Sequence, residues 1–309
     1  QLGIVATADS THIRITPSVP TKVHGRTPHE IVLQRGETYL LQADVRASTA
    51  ADLTGTAIVS DRPIAVFSSQ ERANVPLSSL SQAGTRSISR DYLWEQLLPV
   101  DFWGKRILIP PLPQPQTAMS DATNHTVRVV ASADSTVVRI NGQTAATLQT
   151  GQMYETTLAS TVTANGNTLG LIIEGSAPIY AAVFASSNGS GSGIGDPFML
   201  SVPPEEQFLR SIRTVNVRSI QRISRTITEE AFREHYLSII VPLSSVPTVL
   251  LDNQRLAPNT FQRFSISSDY AFANVRVSEG LHTVSADTVV GVLAIGYGNA
   301  TSYGYTAGQ

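Results

Sequence analysis

Cysteine is absent from all 309 residues. No disulfide can staple this chain, no thiolate can act as a nucleophile, and no zinc site can be built on sulfur. The absence fits a cytosolic protein or an extracellular prokaryotic one. Charge is also scarce: Asp, Glu, Lys and Arg make up 15% of the chain, and the formal net charge is −2. No excess of either sign draws it to nucleic acid or to an anionic membrane. No run of 18 apolar residues occurs, so no transmembrane helix is expected. No signal peptide is visible either, since Gln1 is followed at once by strand-like sequence, and a secreted form would be the mature one.

Hydrophobic residues reach 41%, and Ser, Thr, Asn and Gln take the place of charge. That is the composition of a folded chain with a neutral polar surface. The length exceeds one compact core and suits two or three.

The dominant feature is an internal repeat. ADSTHIRI at 8–15 returns as ADSTVVRI at 133–140, and VLQRGETY at 32–39 returns as TLQTGQMY at 147–154. TAIVSDRPIAVFSS at 56–69 returns, more loosely, as LIIEGSAPIYAAVFASS at 171–187. A fainter third copy runs through YLSIIVP (236–242), TVLLDNQRL (248–256) and SEGLHTVSADTVVGVLAIGYG (278–298). The joints repeat too: EQLLPVDFWGKRILIPPL precedes copy two and EEQFLRSI precedes copy three. Short β-branched runs such as HIRI, TAIV, VRVV and SIIV, bounded by Gly, Pro, Asn or Asp, read as strands.

The expected fold is therefore all-β: tandem antiparallel β-sandwiches with at most one or two short helices. The units are placed at 1–94, 95–204 and 205–309. Three blades fall below the number of a closed propeller. In ADST the Asp is expected to form an Asx turn. DRPI and SAPI are expected to put Pro at strand entrances. One helix is expected where Thr228 caps Glu229, Glu230 and AFREHY.

The set of phrases DLTGTAIVSDRPIAVFSS, YLWEQLLPVDFWGKRILIPPL, DPFMLSVPPEEQF, EHYLSIIVP and SYGYTAG, in this order, resembles the N-terminal domain of the IgG-Fc-binding protein, a domain also found in bacterial surface proteins. The resemblance implies an extracellular, cell-surface, non-enzymatic adhesion or mucus-associated role, with other protein chains or glycans as partners. Animal members carry cysteines near the phrase that here reads SRDYLWEQ. Their absence points to the bacterial branch.

Catalytic patterns are missing. His12, His24, His29, His125, His235 and His282 form no HExxH motif, although His24 and His29 share a loop. NGSGSGIGDP lacks the Lys-Ser/Thr of a phosphate loop. Glu205–Glu206 and Glu229–Glu230 are chain neighbours that point apart. The expectation is no enzyme, no metal and no cofactor. The sequons at Asn124, Asn188 and Asn299 are near chance frequency. One charge cluster stands out: Arg210, Arg213, Arg218, Arg222 and Arg225. It suits sulfate, sialic acid or carboxylate groups on a glycan, or else is a solvated connector. No aromatics interleave with it, so nucleic acid is not expected.

Copy one lacks the lead-in that precedes the other two. If that lead-in is an edge strand, copy one has an open slot. The tail SYGYTAG, with Tyr303 and Tyr305, is expected to be able to donate a strand to such a slot, which would make the chain a structural subunit of a head-to-tail filament or sheath.

Overall fold

The computed structural model describes residues 1–47, 51–76, 89–115, 124–159, 170–187, 194–222, 228–265 and 268–308. Among them the chain is all-β and antiparallel, with helical turns only of the 3-10 type at Val100–Phe102, Glu205–Gln207, Leu243–Thr248 and Pro258–Thr260. Copy one contains β1 (Leu2–Ala6), β2 (Thr11–Thr16), β3 (His29–Leu33), β4 (Thr38–Leu41), β5 (Ala57–Ser60), β6 (Ile64–Ala73) and β7 (Asp91–Gln96). Copy two contains β8 (Gly104–Ile109), β9 (Asn124–Ala131), β10 (Thr136–Ile140), β11 (Gln143–Leu148), β12 (Met153–Ala159), β13 (Leu171–Phe184) and β14 (Met199–Val202). Copy three contains β15 (Leu209–Asn216), β16 (Ile220–Arg222), β17 (Thr228–Glu230), β18 (Phe232–Pro242), β19 (Leu250–Leu251), β20 (Gln254–Arg255), β21 (Gln262–Arg263), β22 (Tyr270–Val277), β23 (Gly280–Gly298) and β24 (Thr301–Ala307).

In copy one, the sheet β4-β1-β6-β7 faces the sheet β3-β2-β5 across a core of Leu2, Ile4, Ile13, Ile15, Leu33 and Leu41. Alternation decides which side chains enter: along THIRIT, Thr11, Ile13 and Ile15 are buried while His12, Arg14 and Thr16 face water. β7 crosses the 94/95 boundary, because Asp91–Gln96 pairs with β6.

The repeated phrases recur because they meet. The Asp9 carboxylate accepts the Arg35 amide at 3.0 Å, and Asp134 accepts the Thr150 amide at 2.9 Å. Each Asp thus ties ADST to the LQxG turn rather than closing the expected Asx turn on its own strand. Gly36 and Gly151 sit at φ of 81° and 74°, where an L side chain is strained, and their amides donate to the Ala6 and Ala131 carbonyls at 2.9 Å. The Thr7 and Ser132 hydroxyls donate to the Pro63 and Pro178 carbonyls at 2.6 Å. Three phrases converge on one knot in both copies.

The long strand β13 passes from one sheet of its sandwich to the other. Its start pairs with β10 and β8, and its end pairs with β9 and β14. Pro178 lies inside it, within the register shift between Glu174 and Ile179, and not at a strand entrance as expected. At such a bulge the missing N–H costs no ladder bond. In copy one the same passage is broken at 61–63, which divides β5 from β6.

The helix expected from Thr228 is absent. Thr228–Glu230 pairs with β16, and the following residues open β18, the central strand between β22 and β23. Residues 234 to 241 are buried on both faces there, and tertiary pairing overrides the local helix signal.

The copies pack in a constant way. The inner residues Ala73, Val75 and Leu93 at the end of copy one cover Ala182 and Met199 on the outer face of the copy-two sheet. The copy-two core in turn takes in Tyr236, Leu293, Ile295 and Tyr297 from the outer face of copy three. Each such side chain contributes on the order of 2 kcal/mol when fully removed from water. Ion pairs fasten both contacts: Arg128 to Asp52 at 2.5 Å, and Arg106 to Asp269 at 2.6 Å and Glu205 at 3.2 Å. Burial opposes the Asp52 charge, but Arg128 and the Thr54 hydroxyl and amide outweigh it and hold the carboxyl below its usual range.

The core of copy two carries a buried histidine. His125 accepts the Ser186 amide at its Nδ1, at 3.1 Å, and its Nε2 has no partner among the described residues. Burial lowers its pKa to about 4 from 6.5. The unfolded ring therefore takes up a proton sooner than the folded one. The stability this contributes is complete above pH 6.5 and is lost as pH falls toward 4, about 3 kcal/mol in all. Urea unfolding at pH 7, 5.5 and 4.5 should show this loss, and His125→Asn should flatten that part of the profile.

Candidate functional site

The arginine stretch does not converge on one point. Arg210 and Arg213 lie on β15, both exposed and without an ion pair among the described residues. Arg213 sits opposite Thr283, one step from the exposed pair Val215 and Leu281. Arg218 is held by Glu279 at 3.4 Å. Arg222 closes β16 and is exposed, while Arg225 lies outside the described residues.

Tyr303 and Tyr305 are not on a free tail. β24 pairs with β23 over seven residues, Thr301–Ala307. Alternation sends both phenols to the same side, where they stack at 6.1 Å between centroids. The Tyr305 hydroxyl donates to the Val215 carbonyl at 2.5 Å and accepts the Val215 amide at 3.1 Å. The Tyr303 hydroxyl accepts the Val217 amide at 3.0 Å and the Asn216 side chain at 3.2 Å. The two phenols therefore satisfy the edge of β15 that faces away from β23. The expectation that this tail is free for donation is corrected: its pairing and its hydroxyls are engaged within its own chain. Gly296 makes room for this, since a side chain there would strike the Tyr303 ring.

The most distinctive surface is one that the sequence reading passed over. The outer face of sheet β4-β1-β6-β7 carries Leu40, Gly3, Phe67, Trp94 and Tyr92. Leu40 is opposite Gly3, Gly3 is opposite Phe67, and Trp94 is opposite Ser69 on the same side. The Phe67 and Trp94 rings lie 5.0 Å apart, and Trp94 stacks on Tyr92 at 5.9 Å. Leu40, Trp94 and Tyr92 are 57%, 52% and 44% exposed. By pairing register, Phe67 corresponds to Ala182 and Leu293, and Trp94 to Met199 and Gly304. Ala182, Met199 and Leu293 are buried against the preceding copy, and Phe198 lies over Gly304. The same face is thus an interface twice and, among the described residues, uncovered once. The signal in the sequence was the alternation in DYLWEQ, which puts Tyr92 and Trp94 on one side of a strand whose other side buries Leu93.

Elsewhere the chemistry is sparse. His24 and His29 stack ring on ring at 3.8 Å, and among the described residues no three His, Asp or Glu side chains gather as a metal site would require. No helix among the described residues is long and apolar enough to cross a membrane.

The family model described as IgGFc binding protein matches residues 1–296. The chain belongs to the IgGFc binding protein family. As a member it is an extracellular protein that binds a protein partner. Neither a curated protein nor a solved structure matches the chain.

Removing either phenol should loosen β15 without unfolding the chain. Tyr303→Phe and Tyr305→Phe should each cost about 1–2 kcal/mol in urea unfolding, because each leaves polar groups near β15 short of a partner. Hydrogen exchange should quicken at the Val217 amide in the first variant and at Val215 in the second.

Proposed function

We propose that this member of the IgGFc binding protein family is a non-enzymatic surface adhesion protein whose protein partner docks on the outer face of the copy-one sheet. One observation carries the reading. The face that copies two and three bury against a neighbour is bare in copy one among the described residues and bears three clustered aromatics. Trp and Tyr are the residues that most often dominate binding energy at protein interfaces, and a contiguous exposed apolar face in an otherwise polar surface marks a contact site. At the rim Gln1 donates to Glu71 and Lys22 donates to Gln42, which brings one charge of each sign to the edge of the apolar face.

The test is binding of the intact chain to immobilised immunoglobulin Fc, to mucin glycoprotein and to a glycan array, with and without Phe67→Ser and Trp94→Ser. The double variant should keep its unfolding free energy within about 1 kcal/mol and lose at least about thirtyfold in affinity for a protein ligand. Undiminished binding would overturn the assignment of the face. If Arg210→Ser and Arg213→Ser instead abolish a salt-dependent glycan signal, the arginine stretch is the site. Reproducible hydrolysis of polysaccharide or peptide, lost on changing one His or Glu, would overturn the non-enzymatic reading.

A second reading, a structural subunit of an extracellular filament or sheath, is favoured by a different observation, the edge of β5 that has no strand partner among the described residues. Copies of the chain would then join through strands. Concentration-dependent polymers in size-exclusion chromatography support it, and a monodisperse monomer at high concentration counts against it.

A further inference from the structure

β7 faces two ways. Tyr92 and Trp94 lie on its outer side, and Asp91, Leu93 and Glu95 lie on the other. That second side runs along copy two. The Glu95 carboxylate accepts the Ser201 amide at 2.8 Å, across 106 residues of chain, and Leu93 packs against Met199 at the same offset. Two residues further back, the offset brings Asp91 to Pro197, beside Asp196. The Ser89 hydroxyl donates to the Asp196 carboxylate, and the Asp91 charge is felt there.

The backbone of Asp196 is held by copy three. Its amide donates to the Ser302 hydroxyl at 3.0 Å, and the same hydroxyl donates to its carbonyl. The Gly195 amide donates to the Gly298 carbonyl at 2.8 Å. The side chain reaches Ser89 and Asp91 of copy one instead. Asp196 is 7% exposed, yet its Oδ1 meets no hydrogen-bond donor among the described residues. Neither Asp91 nor Asp196 has an ion pair among them, and Arg90, the nearest cation along the chain, is exposed. Burial pushes the Asp196 carboxyl above its ordinary range, the Ser89 hydroxyl pulls it back, and Asp91 pushes it up again. A buried carboxylate oxygen with no donor, next to a second carboxylate, is costly unless a cation neutralises the pair.

We infer that Asp91 and Asp196, with the Ser89 hydroxyl, hold a calcium ion at the seam where the last strand of copy one meets the residues that lead into β14. Asp91 uses one oxygen for the Tyr92 amide at 2.7 Å and has the other for an ion. Asp196 supplies Oδ1. A transition metal would need three acidic or imidazole side chains, and no such group gathers among the described residues. Calcium is a hard cation that completes its shell with hydroxyl, carbonyl and water oxygens, and sites with few charges bind it weakly, in the range that extracellular modules use. Because the Asp196 backbone is pinned to Ser302 and Asp91 opens β7, the ion ties copy one directly to copy three. The site lies on the side of β7 opposite Trp94, so it is separate from the aromatic face and does not depend on what docks there.

The experiment strips the intact chain with a chelator and titrates it with CaCl2, then with MgCl2, by calorimetry at fixed ionic strength. One Ca2+ should bind per chain with a Kd of about 0.1–1 mM, and Mg2+ at least about tenfold more weakly. Calcium at about twenty times its Kd should shift the folding equilibrium about twentyfold toward the folded chain. It should slow hydrogen exchange at the Tyr92 and Asp196 amides. Asp91→Asn and Asp196→Asn should each weaken calcium binding at least about tenfold, while their urea midpoints without calcium stay at or above that of the unaltered chain, since each removes the repulsion. Asp101→Asn, at an exposed carboxylate outside the site, should change nothing. The titration and exchange of the unaltered chain need no variant to fold. No calcium binding up to about 10 mM, protection confined to other segments, equal binding of Mg2+, or undiminished binding by both variants overturns the inference.

Discussion

The contact on which the rest of this structure depends is that between the trailing inner strands of one copy and the outer sheet face of the next. An antiparallel sandwich made of short strands buries its inner faces on its own and leaves its outer faces to water. Here the outer faces of copies two and three are apolar, with Ala182, Met199, Leu293, Ile295 and Tyr297 withdrawn from solvent. Such faces commit the copies to packing in series. Side chains at the seams show the commitment. Gly55 and Gly151 approach so closely that a side chain on Gly55 would strike the Gly151 backbone. Arg128 both stacks on Phe184 at 5.1 Å and pairs with Asp52 across the seam. Surface ion pairs contribute little by themselves. Their use at these seams is to fix the angle at which an apolar contact, which has no direction of its own, settles.

Much of this was legible because a repeat is a statement about contacts. A phrase such as ADST or LQxG, kept while its surroundings drift, has to meet another kept phrase. The aspartate-to-amide bonds at Asp9 and Asp134 are that meeting. The strands, the turns at Ser10, Ser135 and Gly142, and the lead-in strands of copies two and three all follow from β-branched runs and turn residues. What the local pattern does not carry is the partner at long range. Thr228, Glu229 and Glu230 have a good helix start. They form a strand because Ile220–Arg222 pairs with them and because β18 has neighbours on both edges. Pro178 looks like a strand entrance, yet it sits at a bulge within one long strand.

The candidate sites divide in the same way. Composition draws the eye to arginines, since five in sixteen residues (210–225) is conspicuous in a chain poor in charge. Density along the chain is not density in space: Arg218 is tied to Glu279, and Arg213 alternates with buried Ile212 and Thr214. The tyrosines of the tail were noticed for their spacing, and the spacing was meaningful. It puts two phenols on one side of β24, where they act as side-chain substitutes for a strand along β15. Trp94 and Tyr92 went unnoticed because a strand with one buried and one aromatic side is ordinary. Only the comparison with Met199 and Gly304 makes the exposure of Trp94 informative.

Copies one and three are therefore not alike. In copy three, Tyr303 and Tyr305 turn inward over Gly296 and complete the edge of β15, and Phe232 packs edge-on against Tyr303 at 4.7 Å. Polar backbone groups that would otherwise seek a partner strand already have one in the phenols. In copy one, the corresponding large-sheet face and the β5 edge have no cover among the described residues. Terminal units of a repeat array differ from interior ones because one of their faces has no neighbour, and a polar or capped face is the usual remedy. In copy three the phenols of Tyr303 and Tyr305 supply such a cap along β15. In copy one the bare face is aromatic rather than charged, and the bare edge is aliphatic rather than blocked by lysine or proline.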